Sequence, residues 1–277
     1  MKRILLIALL GLFIAGCAND QYAIEKQYWR IQKQAEKIFK NPSGSPPNEL
    51  ERVVNIINGF IQKYADNNLA TEAEFSIARL YITKEAYDTA REQLNTIISK
   101  YNKSAAICSE AIFLIGNSYQ IQDKWNPALE QYKKIMQEYS TTLRGIDIPI
   151  YIAQYYKSKY QPDNMIAAYK EAISHYRALS DKYPDSQLAY GADKLVAGCY
   201  MALKDWQGAI DAYNNIIAKY KGKVSTDEVL MNIALIYKKE IKDEVKAREI
   251  LQQLIADYPK SRLIKIATAM LEERKEK

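Results

Sequence analysis

The sequence predicts an all-α fold, a solenoid of about five to six stacked helix pairs closed by a C-terminal capping helix, and two observations lead there. The first is a fixed internal period. A charged residue followed by tyrosine recurs at Lys63-Tyr64, Lys100-Tyr101, Glu138-Tyr139, Lys182-Tyr183, Lys219-Tyr220 and Asp257-Tyr258, in steps of 37, 38, 44, 37 and 38 residues. Self-similarity of this length marks stacked supersecondary units that bury their faces against one another. The second is composition. Only 10 glycines and 8 prolines occur in 277 residues that are 48% hydrophobic, which favours long helices over a loop-rich sheet protein.

Each unit reads as two helices. Eleven residues before each of the last five closing tyrosines stands alanine: Ala90, Ala128, Ala172, Ala209 and Ala247. A second ladder runs Ala78, Gly116, Ala153, Ala197, Ala234, and three residues after each stands Tyr81, Tyr119, Tyr156, Tyr200 or Tyr237. Residues three apart share a helical face, so the small residue lets two helices approach while the aromatic fills the groove beside it. Leu94, Ile97 and Ile98, then Tyr132, Ile135 and Met136, then Tyr213, Ile216 and Ile217 have the spacing of amphipathic second helices. Pro184 and Pro259 follow closing tyrosines, where proline starts a new segment without removing an internal hydrogen bond.

The ladders are twelve residues apart at 78/90, 116/128 and 197/209, and thirteen apart at 234/247. The pair 153/172 is seven residues longer still than twelve. The added stretch, with Lys159-Tyr160-Gln161-Pro162-Asp163, predicts a protruding loop or lengthened helices, a place for a partner or a tolerated surface insertion. Residues 50–260 form the repeat region. Before it, residues 17–49 hold a helix from about Gln21 to Phe39 and a turn-forming linker from Asn41 to Pro47, a degenerate first unit. After it, residues 261–277 form the capping helix, with Leu263, Ile266 and Met270 inward and Glu272 to Lys277 solvated.

The first sixteen residues have the layout of a secretory signal. Met1-Lys2-Arg3 is positive, Ile4 to Ile14 is apolar apart from Gly11, and Ile14-Ala15-Gly16-Cys17 ends in small residues. About 20 apolar residues are needed to span a bilayer, so this run is a leader and not a stable span. Its end resembles a bacterial lipobox, in which a diacylglycerol is attached to the cysteine sulfur and cleavage leaves that cysteine first; an ordinary signal peptide containing a chance cysteine is the bland alternative. The resemblance implies an acylated Cys17 and a membrane partner held through lipid, since two or three acyl chains anchor durably. Ala18 after the cysteine is similar to the pattern sent to the outer membrane of Gram-negative cells, so the expected location is the cell envelope, at the periplasmic face of that membrane.

Composition argues against several other functions. The net charge of +6 includes Lys2 and Arg3 of the leader, and lysines alternate with acids without a basic block, so no nucleic-acid partner is expected. The one histidine, His175, adjoins Tyr176 in a second helix and reads as a packing or surface residue. Cys108 and Cys199 fall in first helices two units apart, too distant for a disulfide, and read as buried thiols. No phosphate loop, metal-ligand spacing or nucleophile elbow occurs, so no catalytic residue, cofactor or metal is expected.

The columns resemble the tetratricopeptide repeat, with its small residue and tyrosine in the first helix, alanine early in the second and closing proline. The repeat is shared by proteins with unrelated partners and therefore speaks to fold before function. Its concave face is lined by first-helix side chains, which by position here are Phe75 and Arg79, Phe113 and Asn117, Ile150 and Gln154, then Met231 and Lys238. The resemblance implies a protein-binding strip suited to an extended segment or helix, though the same residues equally suit packing between units. Some relatives grip a peptide carboxylate here; Asn117 fits that arrangement, but Phe75 and Phe113 stand where its first lysine would be, so no such clamp is expected. Trp125 and Trp206 share a column with Tyr87 and Tyr169 and read as structural, whereas Trp29 has no column.

Lipobox, length and repeats together resemble the BamD-like lipoproteins of the outer-membrane β-barrel assembly machinery, and the junction Tyr183-Pro184-Asp185-Ser186-Gln187 looks similar to theirs. That implies a scaffold holding protein partners of the cell envelope, among them barrel-assembly components. An envelope adaptor for pilus assembly, cell division or wall synthesis shares every feature. A carbohydrate-binding surface lipoprotein would instead cluster Trp29, Tyr151 and Tyr160 in one pocket.

Overall fold

The computed structural model describes residues 2–46 and 48–272, with side chains from residue 21 onward. Among the described residues there are helices and no strand. They run as α1 (Lys2–Lys40) and α2 (Glu49–Lys63), α3 (Asn68–Thr83) and α4 (Tyr87–Lys100), α5 (Ala105–Ile121) and α6 (Trp125–Glu138). Next come α7 (Leu143–Ser158) and α8 (Pro162–Lys182), α9 (Gln187–Ala202) and α10 (Trp206–Tyr220). The sixth pair is α11 (Asp227–Leu235), continued by a π-helical segment (Ile236–Ile241), with α12 (Glu244–Asp257), and α13 (Ile264–Glu272) follows. This is the α-solenoid of helix pairs that the period predicts. The chain divides into two compact units, Met1–Lys134 and Ile135–Lys277. The predicted signal segment, residues 1–16, and Cys17 lie where no side chain is described. No helix among the described residues is long and apolar enough to cross a membrane.

Both ladders sit at the helix contacts. Ala78, Ala153, Ala197 and Ala234 in first helices, and Ala90, Ala128, Ala172 and Ala209 in second helices, are 0% exposed. Gly116 is glycine for a local reason: a Cβ there would meet the Tyr132 ring at 2.5 Å. In the first unit one core joins Ile31, Ile38, Val53, Ile57 and Phe60 to Ile77 and Leu80, and another joins Leu94 and Ile97 to Ala111 and Leu114. In the second unit Ile210, Tyr213 and Ile216 pack on Val229 and Ile233, and Leu251 and Leu254 pack on Leu230 and Ala267 of the capping helix.

Four of the six closing tyrosines tie a second helix to its own first helix. Tyr64 donates to Gln27 (3.0 Å), Tyr101 accepts from Thr71 (3.1 Å), Tyr220 donates to Asp193 (2.8 Å), and Tyr258 pairs with Thr226 (2.7 Å). Three residues after a closing tyrosine, Asn67, Ser104, Thr142 and Ser186 accept from backbone N–H groups and start the next first helix, which explains where these helices begin.

The first helices end alike. The tyrosine carbonyls of 81, 119, 156 and 200 accept from the backbone N–H five residues on, at 2.9 to 3.0 Å, and the intervening Glu85, Asp123, Tyr160 and Lys204 are left-handed, the Schellman arrangement. In the sixth pair the carbonyl of Tyr237 accepts from Asp243, six residues on. One extra residue is thus absorbed by the π-helical segment without disturbing the turn, as such insertions commonly are. The seven-residue excess has a different fate. Between α7 and α8 only residues 159–161 form the turn, and α8 grows to 21 residues where α10 has 15, so the excess is two added helical turns and not a loop. Pro162 at the first position of α8 suits that start because its fixed φ is already helical.

Candidate functional site

The second unit carries two adjoining clefts along its first helices. The apolar one, about 580 Å³, is lined by Ile146 of α7, Tyr176 and Leu179 of α8, and Leu188, Gly191 and Leu195 of α9. The other, about 640 Å³, is the more polar of the two and lies among α9, α11 and the turn before α13, with Ser225, Asp227, Glu228, Asp257, Lys260 and Arg262 in its wall. Tyr190 and Lys194 border both, so the two adjoin along one face of α9.

The shared border is held from behind. Tyr190 meets Tyr220 edge to face, with centroids 5.1 Å apart at 80°. Tyr220 donates to Asp193, which also accepts from Lys219 at 3.0 Å. Lys194 extends from this wall with its ammonium 5.6 Å from the Tyr190 ring centre and 3.4 Å from Glu228, an exposed pair of small energetic weight that a ligand can displace. Gly191 opens the apolar cleft, because a Cβ there would have nothing within 4 Å. In the polar cleft, hydroxyl donation from Ser261, against the opposing effect of burial, and then from Ser225 holds the Asp227 carboxyl below the usual carboxylate range. A pocket of several hundred Å³ with apolar walls and a few fixed polar groups takes a side-chain cluster of a partner segment.

The expected strip is only partly gathered here. Ile150 is half-buried and Gln154 exposed on α7, one and two turns beyond Ile146 on the same face. Their counterparts on α9 are Lys194 and Gly198, at the same offsets from Ala197. Sequence reasoning passed over this unit, although the column that supplied Ile150 and Gln154 points to both. Met231 is buried against the capping helix and is out of a partner's reach. Lys238 lies on the π-helical segment with its ammonium near the Met270 carbonyl (3.5 Å), while the position that matches Gln154 is Leu235. In the first unit Phe75 is 3% exposed and fills the core between α3 and α5, so it too is out of reach. Arg79 pairs with Glu110 at 3.4 Å, Phe113 lies tilted against Tyr132 at 5.9 Å, and Asn117 is half-buried beside them on α5. Large apolar residues at this offset close onto the neighbouring helix, whereas a lysine keeps its ammonium in water and leaves a rim.

The residues with chemical potential sit apart from both clefts. Cys108 and Cys199 are free and buried, and burial pushes the Cys199 thiol up to about 12. Burial lowers the His175 pKa, and its Nε2 is buried without a hydrogen-bond partner. Among the described residues no group of three His, Cys, Asp or Glu is placed to hold a metal ion.

A tetratricopeptide-repeat profile matches residues 196–222 and 228–261, from within α9 to the turn after α12. No curated protein sequence matches the chain. Among solved structures, BtubC of P. vanneervenii is 15% identical over 91% of this chain and 93% of its own, with a TM-score of 0.40. PilW, a widely conserved type IV pilus biogenesis factor, is 15% identical over 87% of this chain and 98% of its own, with a TM-score of 0.40. PilF of Pseudomonas aeruginosa is 11% identical over 89% and 99%, with a TM-score of 0.36. These likenesses are distant and say nothing of what the chain binds. The chain carries tetratricopeptide repeats in its second unit.

Proposed function

We propose that this protein is an envelope lipoprotein, tethered through acylated Cys17, whose second unit captures a segment of a partner protein in the groove that passes Tyr190 and Lys194. The carrying observation is that an apolar and a charged cleft adjoin across Tyr190 and Lys194. An amphipathic helix or extended segment sets apolar side chains between Leu188 and Leu195 and its polar groups against Asp227, Glu228 and Lys194. Tetratricopeptide repeats serve generally as protein-interaction scaffolds, which fits a groove that sets an apolar wall beside charged and hydroxyl side chains. The finer assignment, to outer-membrane β-barrel assembly, rests on the resemblance of the leader and of the Tyr183 to Gln187 junction. The carbohydrate reading gains nothing from the groove, because Tyr151 and Tyr160 line neither cleft.

The test is photo-crosslinking in intact cells from reactive residues at positions 187 and 194, with position 170 on the outer face of α8 as control, and mass spectrometry of the adducts. Barrel-assembly proteins captured from 187 and 194 alone are the expected result. Capture of only pilus, division or wall-synthesis proteins rejects the finer assignment and keeps the groove. Adducts no richer than at the control reject the groove. Metabolic acyl labelling, with Cys17→Ala as the unlabelled comparison, checks the tether separately.

A further inference from the structure

The outer face of α1 has no place in the function proposed above. Its inner face, with Ile31, Ala35 and Ile38, is buried in the first unit. Directly opposite, at helical spacing, run Tyr22, Lys26, Trp29, Lys33, Lys37 and Lys40. Tyr22 is 64% and Trp29 60% exposed. Lys26 lies 5.8 Å from the Tyr22 ring centre and Lys33 5.7 Å from that of Trp29. Glu36, which accepts from Lys33 and Lys40, tempers but does not cancel the positive stripe.

We propose that this stripe lies flat on an anionic lipid surface. Three features specify that occupant. Tryptophan and tyrosine are the residues that settle at the bilayer interface, with the ring in the headgroup layer and the polar edge in water. Lysines interleaved with them on one face match anionic headgroups, and their flexible stems let the ammonium groups find phosphates at differing depths. Continuity supplies the third, since Cys17 precedes Tyr22 by only five residues in the same helix, about 8 Å of axial rise. This step rests on the acyl tether at Cys17. Given that tether, the stripe decides how the first unit is held: α1 lies along the membrane with α2 and α3 on its far side and does not stand upright as a stalk.

The experiment uses the full acylated protein on vesicles containing brominated lipid, either wholly zwitterionic or with phosphatidylglycerol. The emission of Trp29 is taken as the difference between wild type and Trp29→Phe, which leaves Trp125 and Trp206 in place. On floated anionic vesicles the Trp29 signal falls by about half, as expected for a ring within the headgroup and acyl boundary. The fall is smaller on zwitterionic vesicles and in Lys26→Glu/Lys33→Glu protein. Floated protein whose Trp29 is untouched by bromolipid and open to aqueous iodide rejects the proposal and keeps the tether. Trp29 shielded from both quenchers only when envelope proteins are added assigns the stripe to a protein partner and also rejects it. Protein that fails to float rejects tether and proposal together.

Discussion

The Lys219 ammonium lies 3.0 Å from the Asp193 carboxylate, and an earlier pair repeats the arrangement, with Lys100 2.6 Å from Glu74. Asp193 and Glu74 each stand four residues before a ladder alanine, and each lysine directly precedes its closing tyrosine. The acids are almost fully buried, at 7% and 6% exposed, while both lysines reach solvent. Such a pair costs little to form because one partner keeps its water, yet removing the buried acid leaves other groups stranded.

Asp193→Ala strands the Tyr220 hydroxyl and leaves Lys219 to Ser180 and water, and should lower stability by about 2 kcal/mol in urea unfolding. Lys219→Met should cost a similar amount, because it leaves the Asp193 carboxylate, 7% exposed, with the Tyr220 hydroxyl and no counter-charge. A loss much smaller than that of Asp193→Ala would mean that the hydroxyl bond, and not the ion pair, carries the contact.

Gly116→Ala tests the ladder. In an open helix this change stabilises by about 1 kcal/mol, but a Cβ 2.5 Å from the Tyr132 ring should reverse the sign and cost about 1 to 3 kcal/mol. Leucine holds the position of Tyr132 in two other pairs, as Leu94 and Leu251, each facing a ladder alanine. Adding Tyr132→Leu to Gly116→Ala should therefore recover most of the loss, and a double variant no more stable than the single one would remove the steric explanation.

Tyr160 has φ of 55° and is 93% exposed, so its side chain gives little back for a left-handed backbone that a Cβ disfavours. Tyr160→Gly should stabilise the chain by about 1 kcal/mol, visible as a rise in Tm of a few degrees. A loss instead would show that the ring has an unseen contact.

The ladders were legible because a small residue recurs once per helix pair, in steps of 37 to 44 residues, at a fixed offset from an aromatic on the same helix, and every ladder alanine is indeed inside. The turns were legible in part: the period located them, but not the left-handed residues, which are non-glycine at all five. The extra residue at 234/247 could be counted, yet only hydrogen bonding in the backbone decides between a longer loop and a π-helical turn. The candidate site was least legible. Phe75, Ile150, Lys194 and Met231 share one offset, and whether that position faces a groove or the core depends on how far the side chain can collapse onto the next helix, which a single column does not record.

His175 gives a pH signature. Burial lowers its pKa in the folded chain, partly opposed by a backbone hydrogen bond with Gly145 and the field of Glu171. As pH falls through the unfolded value of about 6.5, the unfolded chain takes up a proton that the folded chain refuses, so stability declines until the folded pKa is reached. Thermal unfolding of wild type and His175→Gln between pH 8 and 5 should therefore differ in slope, the wild type losing stability faster below about 6.5. Parallel profiles would place the imidazole in water.

Gly191 separates binding from folding. It sits mid-helix in α9 and lines the apolar cleft, and a side chain built there meets no atom within 4 Å. Gly191→Ala should thus stabilise α9 by up to about 1 kcal/mol and leave partner capture nearly intact. Gly191→Trp gains the same backbone term but fills the space between Leu188 and Leu195, where a partner's apolar anchor would sit. Crosslink yield from position 194 should fall at least about tenfold, as expected when a central anchor pocket is lost, with Tm unchanged or raised. Undiminished capture by a well-folded Gly191→Trp protein would mean that the partner docks elsewhere on the repeats, because no segment can occupy that cleft and the indole together.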